Sequence, residues 1–217
     1  LNQIEKNNPS LKGALPDNYF SRLGLDKSKL ASLLDTINKI DTQIDKSQDI
    51  VGRVYEYFLS KFALAEGKGK GEFYTPKSIV NLIAEMIEPY KGKIYDPACG
   101  SGGMFVQSMK FIENHHGDKK EVSIYGQEYT STTYKLAKMN LAIHGIEGKI
   151  IEGNSFYTNP HNLTGKCDFV MANPPFNVDK VDAKNKFLAE DDRLPFGAPL
   201  TGKGTISNGN YLFMQYF

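Results

Sequence analysis

Asp96-Pro97-Ala98-Cys99-Gly100-Ser101-Gly102-Gly103 is the stretch that decides the fold of this 217-residue chain. A short strand pattern from Lys93 to Tyr95 precedes it, and a helix-like run from Met104 to Ile112 follows. Strand, glycine turn and helix in this order form a ligand-binding crevice at the carboxyl end of a parallel strand. The glycines let a ligand approach the backbone closely, and the helix N-terminus favours a carboxylate or phosphate.

Two familiar nucleotide sites are disfavoured at this turn. Phe105 stands where the dinucleotide fingerprint requires glycine, and no Gly-Lys-Ser/Thr ending indicates a P-loop. A glycine turn by itself is also typical of a tight strand-to-helix connection without a ligand. Asp96 likewise has two interpretations: it braces the turn by hydrogen bonding to backbone N–H groups, or it contacts a cofactor through water.

A second motif, Asn173-Pro174-Pro175-Phe176, directly follows the buried-strand pattern Cys167 to Ala172. The Asn173 side-chain oxygen and the Pro174 carbonyl are acceptors suited to the exocyclic amine of adenine or cytosine. Both residues precede a proline and are biased to extended backbone, which holds these oxygens in place at small entropic cost. Phe176 offers a flat apolar face for the base. The alternative is an ordinary turn with Phe176 in the core.

The region between these motifs predicts an open parallel sheet with flanking helices, an α/β fold. Strand patterns run from Ser123 to Glu128 and from Lys149 to Glu152, with a helix pattern from Ser131 to His144 between them. Glu128 stands at the end of its strand, where α/β nucleotide sites place their ribose acceptor. The alternative is a solvated strand-end carboxylate.

Thr75-Pro76 is typical of a helix start, with Thr75 as the N-cap and Pro76 as the first helical residue. Apolar residues then recur at helical spacing: Ile79, Val80, Ile83, Met86 and Ile87. A helix N-terminus beside a cofactor carboxylate would let this segment both cap the helix and bind the ligand.

Together these motifs resemble the gamma-ordered DNA adenine methyltransferases, and most closely the modification subunits of type I restriction-modification systems. The match extends from about Asp49 to the C-terminus and is carried by Val51 to Phe58, Gly71 to Pro76, Asp96 to Gly103, Gly126 to Glu128, Gly153 to Ser155 and Asn173 to Phe176. The resemblance implies S-adenosylmethionine as methyl donor and adenine flipped out of duplex DNA as acceptor. It also implies a specificity subunit and, in the full system, a restriction subunit as partners.

Carried over to this chain, the family's catalytic residues are Asn173, Pro174, Pro175 and Phe176. The cofactor-binding residues are Glu72, Phe73, Tyr74, Thr75, Pro76, Lys77, Asp96, Gly100, Ser101, Gly102, Gly103, Glu128 and Asn154. Asn154 departs from the pattern, because many adenine methyltransferases have an aspartate at this position. Its alternative interpretation is an amide that closes the turn after the preceding strand.

The first 65 residues lack strand alternation. Apolar residues recur at helical spacing at Leu30, Leu33, Leu34, Ile37, Ile40 and Ile44, and Val51 to Ala65 indicates a further helix. We predict an N-terminal helical domain, residues 1–65, that packs against the catalytic domain or a partner. Residues 66–217 are predicted to form a Rossmann-like methyltransferase domain whose sheet is incomplete at the C-terminus, so the sequence leaves open whether the isolated segment is active.

Composition narrows the function classes only in part. The net charge is +1, with 40% hydrophobic and 24% charged residues, which gives no electrostatic signature of a stand-alone DNA-binding protein. The four histidines show no metal-ligand spacing. Two cysteines, no secretory signal and no long apolar segment predict a soluble chain in a reducing compartment without a membrane partner. The family implies the cytoplasm.

The stretch from Val178 to Asn208 is rich in charge, proline and glycine and predicts a mobile loop near DNA. Its basic residues either contact phosphate or are solvated and balanced by acidic neighbours: Lys180, Lys184, Lys186, Arg193 and Lys203.

Two other function classes stay open from the sequence. Related Asn-Pro-Pro-aromatic motifs also serve protein glutamine or RNA amino groups, although the segment Glu72 to Pro76 and Phe rather than Tyr at position 176 argue against these substrates. A non-catalytic assembly module is the third class.

Overall fold

The computed structural model describes residues 1–16, 24–39, 50–65 and 75–217, except for the side chains of residues 62–65. The described helices are α1 (Asn2–Asn7), α2 (Lys27–Asn38), α3 (Ile50–Ala65), α4 (Lys77–Ile87), α5 (Gly103–Asn114), α6 (Ser131–Ile143), α7 (Lys186–Ala189) and α8 (Asn210–Phe213). The described strands are β1 (Gly92–Asp96), β2 (Val122–Glu128), β3 (Gly148–Glu152) and β4 (Phe169–Val170). None of the helices in these ranges combines the length and apolar character that crossing a membrane requires.

The four strands form one sheet in the order β3-β2-β1-β4, and every neighbouring pair is parallel. Ile94 of β1 lies opposite Ile124 of β2 on one side and Phe169 of β4 on the other. The α/β parallel sheet predicted from the sequence is therefore confirmed. Because all strands are parallel, the residues that follow β1, β2, β3 and β4 emerge at the same edge of the sheet.

Strand β4 is shorter than its apolar pattern, which runs from Cys167 to Ala172. The backbone N–H of Met171 still donates to the Tyr95 carbonyl at 3.0 Å. Pro174 and Pro175 have no N–H to donate, so the ladder cannot continue past them. The chain therefore leaves the sheet at Asn173, beside the end of β1.

The main hydrophobic core lies between the sheet and helices α4, α5 and α6. Fully buried members include Val80, Ala84, Ile94, Phe105, Ile112 and Ala137. Gly126 of β2 shows how close this packing is, because a Cβ atom there would lie 2.7 Å from Ile150 Cδ1 and 2.9 Å from Phe105 Cε2. The helices are thus fixed on the strands whose ends carry both motifs.

The N-terminal helices differ in how they pack. Helix α2 confirms the helical prediction, but none of its residues is buried, and Leu33, Leu34 and Ile37 are exposed. Ile40 and Ile44 of the predicted stripe lie outside the described residues. Helix α3 does contact the catalytic helices: Leu59 is buried and the Tyr55 hydroxyl donates to the Leu136 carbonyl at 3.4 Å. A domain boundary at residue 65 stays a prediction.

The prediction of a mobile loop from Val178 to Asn208 is wrong, because this segment packs. Its apolar residues join those of α8 in a second hydrophobic cluster formed by Phe156, Val181, Leu188, Leu194, Ile206, Leu212, Phe213 and Tyr216. Arg193 is buried and paired with Asp191 at 2.7 Å, so it is not available for phosphate. The lysines of this segment are exposed, and their contact with phosphate stays a prediction: Lys180, Lys184, Lys186 and Lys203.

Candidate active site

The glycine turn after β1 adopts backbone conformations that favour glycine. Gly100 and Gly102 have φ angles of +54° and +76°, and α5 begins at the next residue, Gly103. Helix α6 lies close to the turn, since a Cβ on Gly102 would be 3.7 Å from Ala137. Cys99, within this stretch, is buried. The turn is therefore tightly held by its neighbours.

Asp96 braces this turn with one carboxylate oxygen only. Its Oδ1 accepts from the backbone N–H of Ala98 at 2.9 Å. Its Oδ2 is buried and has no hydrogen-bond partner among the described residues. Burial raises the pKa of Asp96 to about 8. The bracing interpretation is thus confirmed, and one buried oxygen is left for a ligand or a proton.

Glu128 links the end of β2 to the glycine turn. Its Oε2 accepts from the Gly100 N–H at 3.0 Å and its Oε1 accepts from the Thr130 N–H at 2.8 Å. Burial raises the pKa of this carboxyl, against the effect of these hydrogen bonds. Glu128 is half-buried and bonded to protein, so the alternative of a solvated strand-end carboxylate is wrong. Each oxygen keeps a lone pair for a further donor.

Asn154 closes the turn after β3. Its Oδ1 accepts from the Phe156 N–H at 2.9 Å, and its backbone carbonyl accepts from Tyr157 N at 2.9 Å. The next residue, Ser155, donates its hydroxyl to the Pro97 carbonyl. The turn-closing interpretation of Asn154 therefore describes its side-chain oxygen, and a contact with cofactor stays a prediction.

The Asn173 to Phe176 loop presents its acceptors at the sheet edge. Asn173 is half-buried, and its Nδ2 donates to the Thr75 hydroxyl oxygen at 3.2 Å. No described residue donates to Asn173 Oδ1 or to the Pro174 carbonyl. The Phe176 side chain is 68% exposed, so the alternative that places it in the core is wrong. Two acceptors without a donor among the described residues, beside an exposed aromatic ring, suit a flat molecule that carries an amino group.

Two asparagines and a glycine from the far end of the chain hold the residues that follow this loop, and the sequence did not predict these contacts. The Asn177 N–H donates to Asn210 Oδ1 at 2.9 Å, and Asn208 Nδ2 donates to Asn177 Oδ1 at 3.0 Å. Between them, the Gly209 N–H donates to the Val178 carbonyl at 2.8 Å. The signal was the Asn-Gly pair, which is typical of a tight turn.

A buried amide on α6 was missed as well. Asn140 is 2% exposed, and its Nδ2 donates to the Ser101 carbonyl at 2.8 Å. It lies between Ala137 and Leu141 on the face that packs against the core. A polar residue within an apolar helical stripe is the signal that could have found it, because buried polar groups need partners.

The helix start predicted at Thr75-Pro76 is wrong by one residue. Helix α4 begins at Lys77, Pro76 is its N-cap, and no side chain caps it. The Thr75 hydroxyl is instead bonded to Asn173 Nδ2. Of the predicted cofactor segment, Glu72, Phe73 and Tyr74 lie outside the described residues, whereas Thr75, Pro76 and Lys77 are described.

Comparison with known proteins matches this chain to DNA methylases. The sequence profile described as N-6 DNA Methylase matches residues 46–217. The HindI type I restriction enzyme methylase subunit of Haemophilus influenzae is 45% identical, over 98% of this chain and 48% of that protein. The MjaIX methylase subunit of Methanocaldococcus jannaschii is 38% identical, over 98% of this chain and 38% of that protein.

A similar fold is known from a crystal structure. The methyltransferase subunit of the type I restriction-modification system from Streptococcus thermophilus superimposes with a TM-score of 0.72 at 26% identity. The alignment covers 93% of this chain and 43% of that one. The chain thus spans less than half the length of each of these three relatives.

Proposed function

Because this chain belongs to the N-6 DNA Methylase family, we propose that it is the catalytic part of a subunit that methylates the exocyclic amine of adenine in duplex DNA. The methyl donor would be S-adenosylmethionine. The whole protein would act within a type I restriction-modification system in the cytoplasm, like the subunits named for the relatives. The observation that carries this proposal is the loop Asn173 to Phe176, whose acceptors have no donor among the described residues and whose ring is exposed.

The position of the loop supports a transfer reaction. Strands β1 and β4 are hydrogen-bonded neighbours, so the glycine turn and Asn173 leave the sheet side by side. Adjacent strands lie about 4.8 Å apart. A ligand held on the glycine turn and a base held on the loop would therefore meet within one crevice.

The acceptors address the chemistry of the substrate amine. The amino group of adenine is a poor nucleophile because its lone pair is delocalised into the ring. Asn173 Oδ1 and the Pro174 carbonyl would accept its two hydrogens and orient it for direct displacement. Both oxygens belong to residues whose backbone is restricted by a following proline. Binding the base should therefore cost little conformational entropy in this loop.

Phe176 would supply the surface for a flipped base. An adenine in duplex DNA cannot reach a donor in a protein cleft unless it leaves the stack, at a cost of a few kcal/mol. Stacking on an aromatic side chain is worth about 1–3 kcal/mol. An exposed ring next to the acceptors is therefore suited to offset much of the flipping cost.

The residues around the glycine turn fit the proposed cofactor. Asp96 Oδ2 is a buried acceptor without a described partner, and Glu128 keeps acceptor capacity at the end of β2. These two carboxyls would accept from the amino and ribose hydroxyl groups of S-adenosylmethionine. When bound, this molecule supplies a methyl group on a positively charged sulfur, which makes the methyl group electrophilic. Glu72, Phe73 and Tyr74 stay predictions for its methionine portion.

Partners follow from charge and from the relatives. A net charge of +1 provides little general attraction for DNA. We therefore expect DNA affinity and sequence choice to come from a separate specificity subunit, with a restriction subunit in the full system.

The test is labelled methyl transfer by the complete subunit to unmethylated duplex DNA, with the specificity subunit added or withheld. We expect label in adenine only when the complete subunit and the specificity subunit are present together. Asn173→Ala should abolish transfer while the dissociation constant for S-adenosylmethionine is unchanged, because this side chain faces the amine. Asn114→Ala, an exposed asparagine at the end of α5, is the matched control and should transfer normally.

Other outcomes would redirect the assignment. Label in protein or RNA would replace DNA as the substrate class. An Asn173→Ala variant that no longer binds S-adenosylmethionine would show that the loop belongs to the cofactor site. If no label is transferred even when the specificity subunit is present, a non-catalytic role is favoured.

A further inference from the structure

We propose that Thr75 is a positioning residue for methyl transfer: its hydroxyl accepts from Asn173 Nδ2 and so directs Asn173 Oδ1 toward the substrate amine. This role differs from the cofactor contact that the sequence resemblance assigned to Thr75. The inference rests on the proposed function. Its basis is the hydrogen bond of 3.2 Å between two half-buried side chains that are 98 positions apart in the chain.

The Thr75 hydroxyl is free for this role because the helix does not use it. Helix α4 begins two residues later and has Pro76 as its N-cap. Within its first turn, the N–H groups of Ile79 and Val80 donate to the Pro76 carbonyl at 3.0 and 3.2 Å. A threonine at the N-cap usually caps the helix with its hydroxyl, but Thr75 precedes the N-cap. Here the hydroxyl instead accepts from the Asn173 amide.

Thr75 is also attached to a fixed support. The face of α4 that packs on α5 includes Val80 and Ala84, both fully buried. Lys77, the first residue of the helix, pairs with the buried carboxylate of Glu56 on α3. Because the helix start is held from two sides, the Thr75 hydroxyl oxygen is a stationary acceptor.

The orientation of the Asn173 amide decides whether the site accepts or donates. Its oxygen and nitrogen edges are nearly identical in size but opposite in hydrogen-bonding character. With Nδ2 toward the adenine amine, two donors would face each other. A hydrogen bond from Nδ2 to Thr75 leaves Oδ1 pointing away from Thr75, available to accept. Losing this bond should lower the population of the Asn173 side-chain conformation that the structure shows about 3- to 10-fold.

Variants of Thr75 separate the hydroxyl from the shape of the side chain. Thr75→Val keeps the shape and removes the hydroxyl, and Thr75→Ser keeps the hydroxyl. We expect Thr75→Val to lower the single-turnover rate of methyl transfer by about 3- to 10-fold. The dissociation constant for S-adenosylmethionine should not change, and Thr75→Ser should retain most of the wild-type rate. Thr75→Ala, measured alongside, replaces Thr75→Val should that variant not fold.

A second readout tests the hydrogen bond without catalysis. The side-chain amide signals of Asn173 are identified in ¹⁵N-edited NMR spectra by their absence from Asn173→Ala. They should shift in Thr75→Val and stay near their wild-type positions in Thr75→Ser. A failed hydrogen bond is then visible even when no methyl group is transferred.

The outcomes distinguish the two proposals. Amide signals that are the same in Thr75→Val and wild type would overturn the positioning role whatever the activity. A weaker affinity for S-adenosylmethionine at unchanged rate would assign Thr75 to the cofactor site instead. Wild-type protein that methylates no DNA, with its specificity subunit present, overturns the proposed function and this inference together.

Discussion

Asp96 is a buried carboxyl group at the start of the glycine turn. The carboxyl group is 1% exposed, and only one of its oxygens has a described partner. Burial raises its pKa from 3.8 to about 8, the Ala98 N–H opposes this shift, and the charge of Glu128 adds to it. Burial therefore favours the protonated form of this carboxyl in the ligand-free protein.

This raised pKa predicts a pH-dependent stability. Between 3.8 and about 8 the folded protein binds a proton that the unfolded chain releases, so the stability contributed by Asp96 falls as the pH rises. The slope is at most about 1.4 kcal/mol per pH unit. Asp96→Asn is uncharged at every pH, so it should gain stability relative to wild type from pH 5 to pH 8. Urea unfolding at pH 5 and at pH 8 measures this difference in the free energy of unfolding between the variant and wild type.

The control for this prediction is Asp179→Asn, which replaces an exposed aspartate. Its free energy of unfolding should differ from that of wild type by the same amount at pH 5 and at pH 8. If Asp96→Asn behaved in the same way as this control, the buried carboxyl would have to be charged throughout the range.

Phe176 gives a prediction that separates binding from stability. Because its ring is 68% exposed, Phe176→Ala should leave the free energy of unfolding nearly unchanged. Loss of stacking should cost about 1–3 kcal/mol, which is about 5- to 150-fold in affinity for DNA. The fluorescence of 2-aminopurine, placed at the target position in the DNA, reports whether the base is flipped.

Phe196 provides the matched control, because it is 90% exposed in a turn braced by Gln215 rather than beside Asn173. Phe196→Ala should leave base flipping unchanged, and Phe176→Tyr should keep it. Equal loss of flipping in the alanine variants of both phenylalanines would remove the special role of Phe176.

At the scale of elements, helix α3 carries a buried carboxylate that joins several helices. Glu56 is 7% exposed, and its Oε1 lies 3.2 Å from Lys110 Nζ and 3.3 Å from Gln107 Nε2, both on α5. It also pairs with Lys77 at the start of α4 and lies 3.6 Å from His144 Nε2 after α6. One side chain thus connects α3 to α4, to α5 and to the residue that follows α6.

Glu56→Gln should therefore weaken the docking of α3. Burial alone would raise the pKa of Glu56, but the hydrogen bonds and charges of Lys77 and Lys110 outweigh it and lower the pKa. A lowered carboxyl pKa stabilises the fold above about pH 4.5, and that stability is lost in acid. The cost should be about 1–3 kcal/mol at pH 7, discounted because both lysines reach solvent.

Urea unfolding at pH 7 and pH 4 measures this difference, which should shrink at the lower pH. Glu113→Gln removes an exposed ion pair with Lys119 on the same helix bundle and should cost less than about 0.5 kcal/mol. An equal cost for both variants at pH 7 would mean that Glu56 is no more than a surface charge.

The elements were predictable where local rules decide them. Apolar strand patterns, the glycine turn and the following helix lie next to one another in the chain, so the sequence predicted β1, α5, β2, α6 and β3 in order. The contacts of Thr75 with Asn173 and of Asn140 with Ser101 join residues far apart in the chain. No spacing rule predicts such pairs, because they depend on how whole elements pack.

The misinterpreted segment, 178–208, shows the same limit. Its proline, glycine and charged residues are typical of a loop, and most of it does lack regular structure. Its few apolar residues, including Val181, Leu188 and Ile206, are irregularly spaced but nevertheless buried. They pack against residues of α8 and the turn after β3, which no local pattern could indicate.

At the scale of the whole molecule, Arg193 connects this second hydrophobic cluster to the active-site turns. Its Nη2 donates to Asp191 Oδ2 and to the Ser155 carbonyl, both at 2.7 Å, and its guanidinium lies 4.2 Å from the centre of the Tyr216 ring. Ser155 in turn donates to the Pro97 carbonyl beside Asp96. The second cluster is therefore tied through Arg193 to Ser155, and through Ser155 to the residues that precede the glycine turn.

Arg193→Met should release the second cluster while the sheet stays folded. The variant leaves the Asp191 carboxylate buried without its partner, which costs about 3–5 kcal/mol. In hydrogen exchange, backbone amides from Val181 to Ile206 should lose protection, whereas those of β1 and β2 should keep it, because their core is a separate cluster. Adding Asp191→Asn should restore part of the protection by removing the stranded charge, and Lys203→Met, at an exposed position, should change nothing. Equal loss of protection in the sheet would mean that both clusters unfold as one cooperative unit.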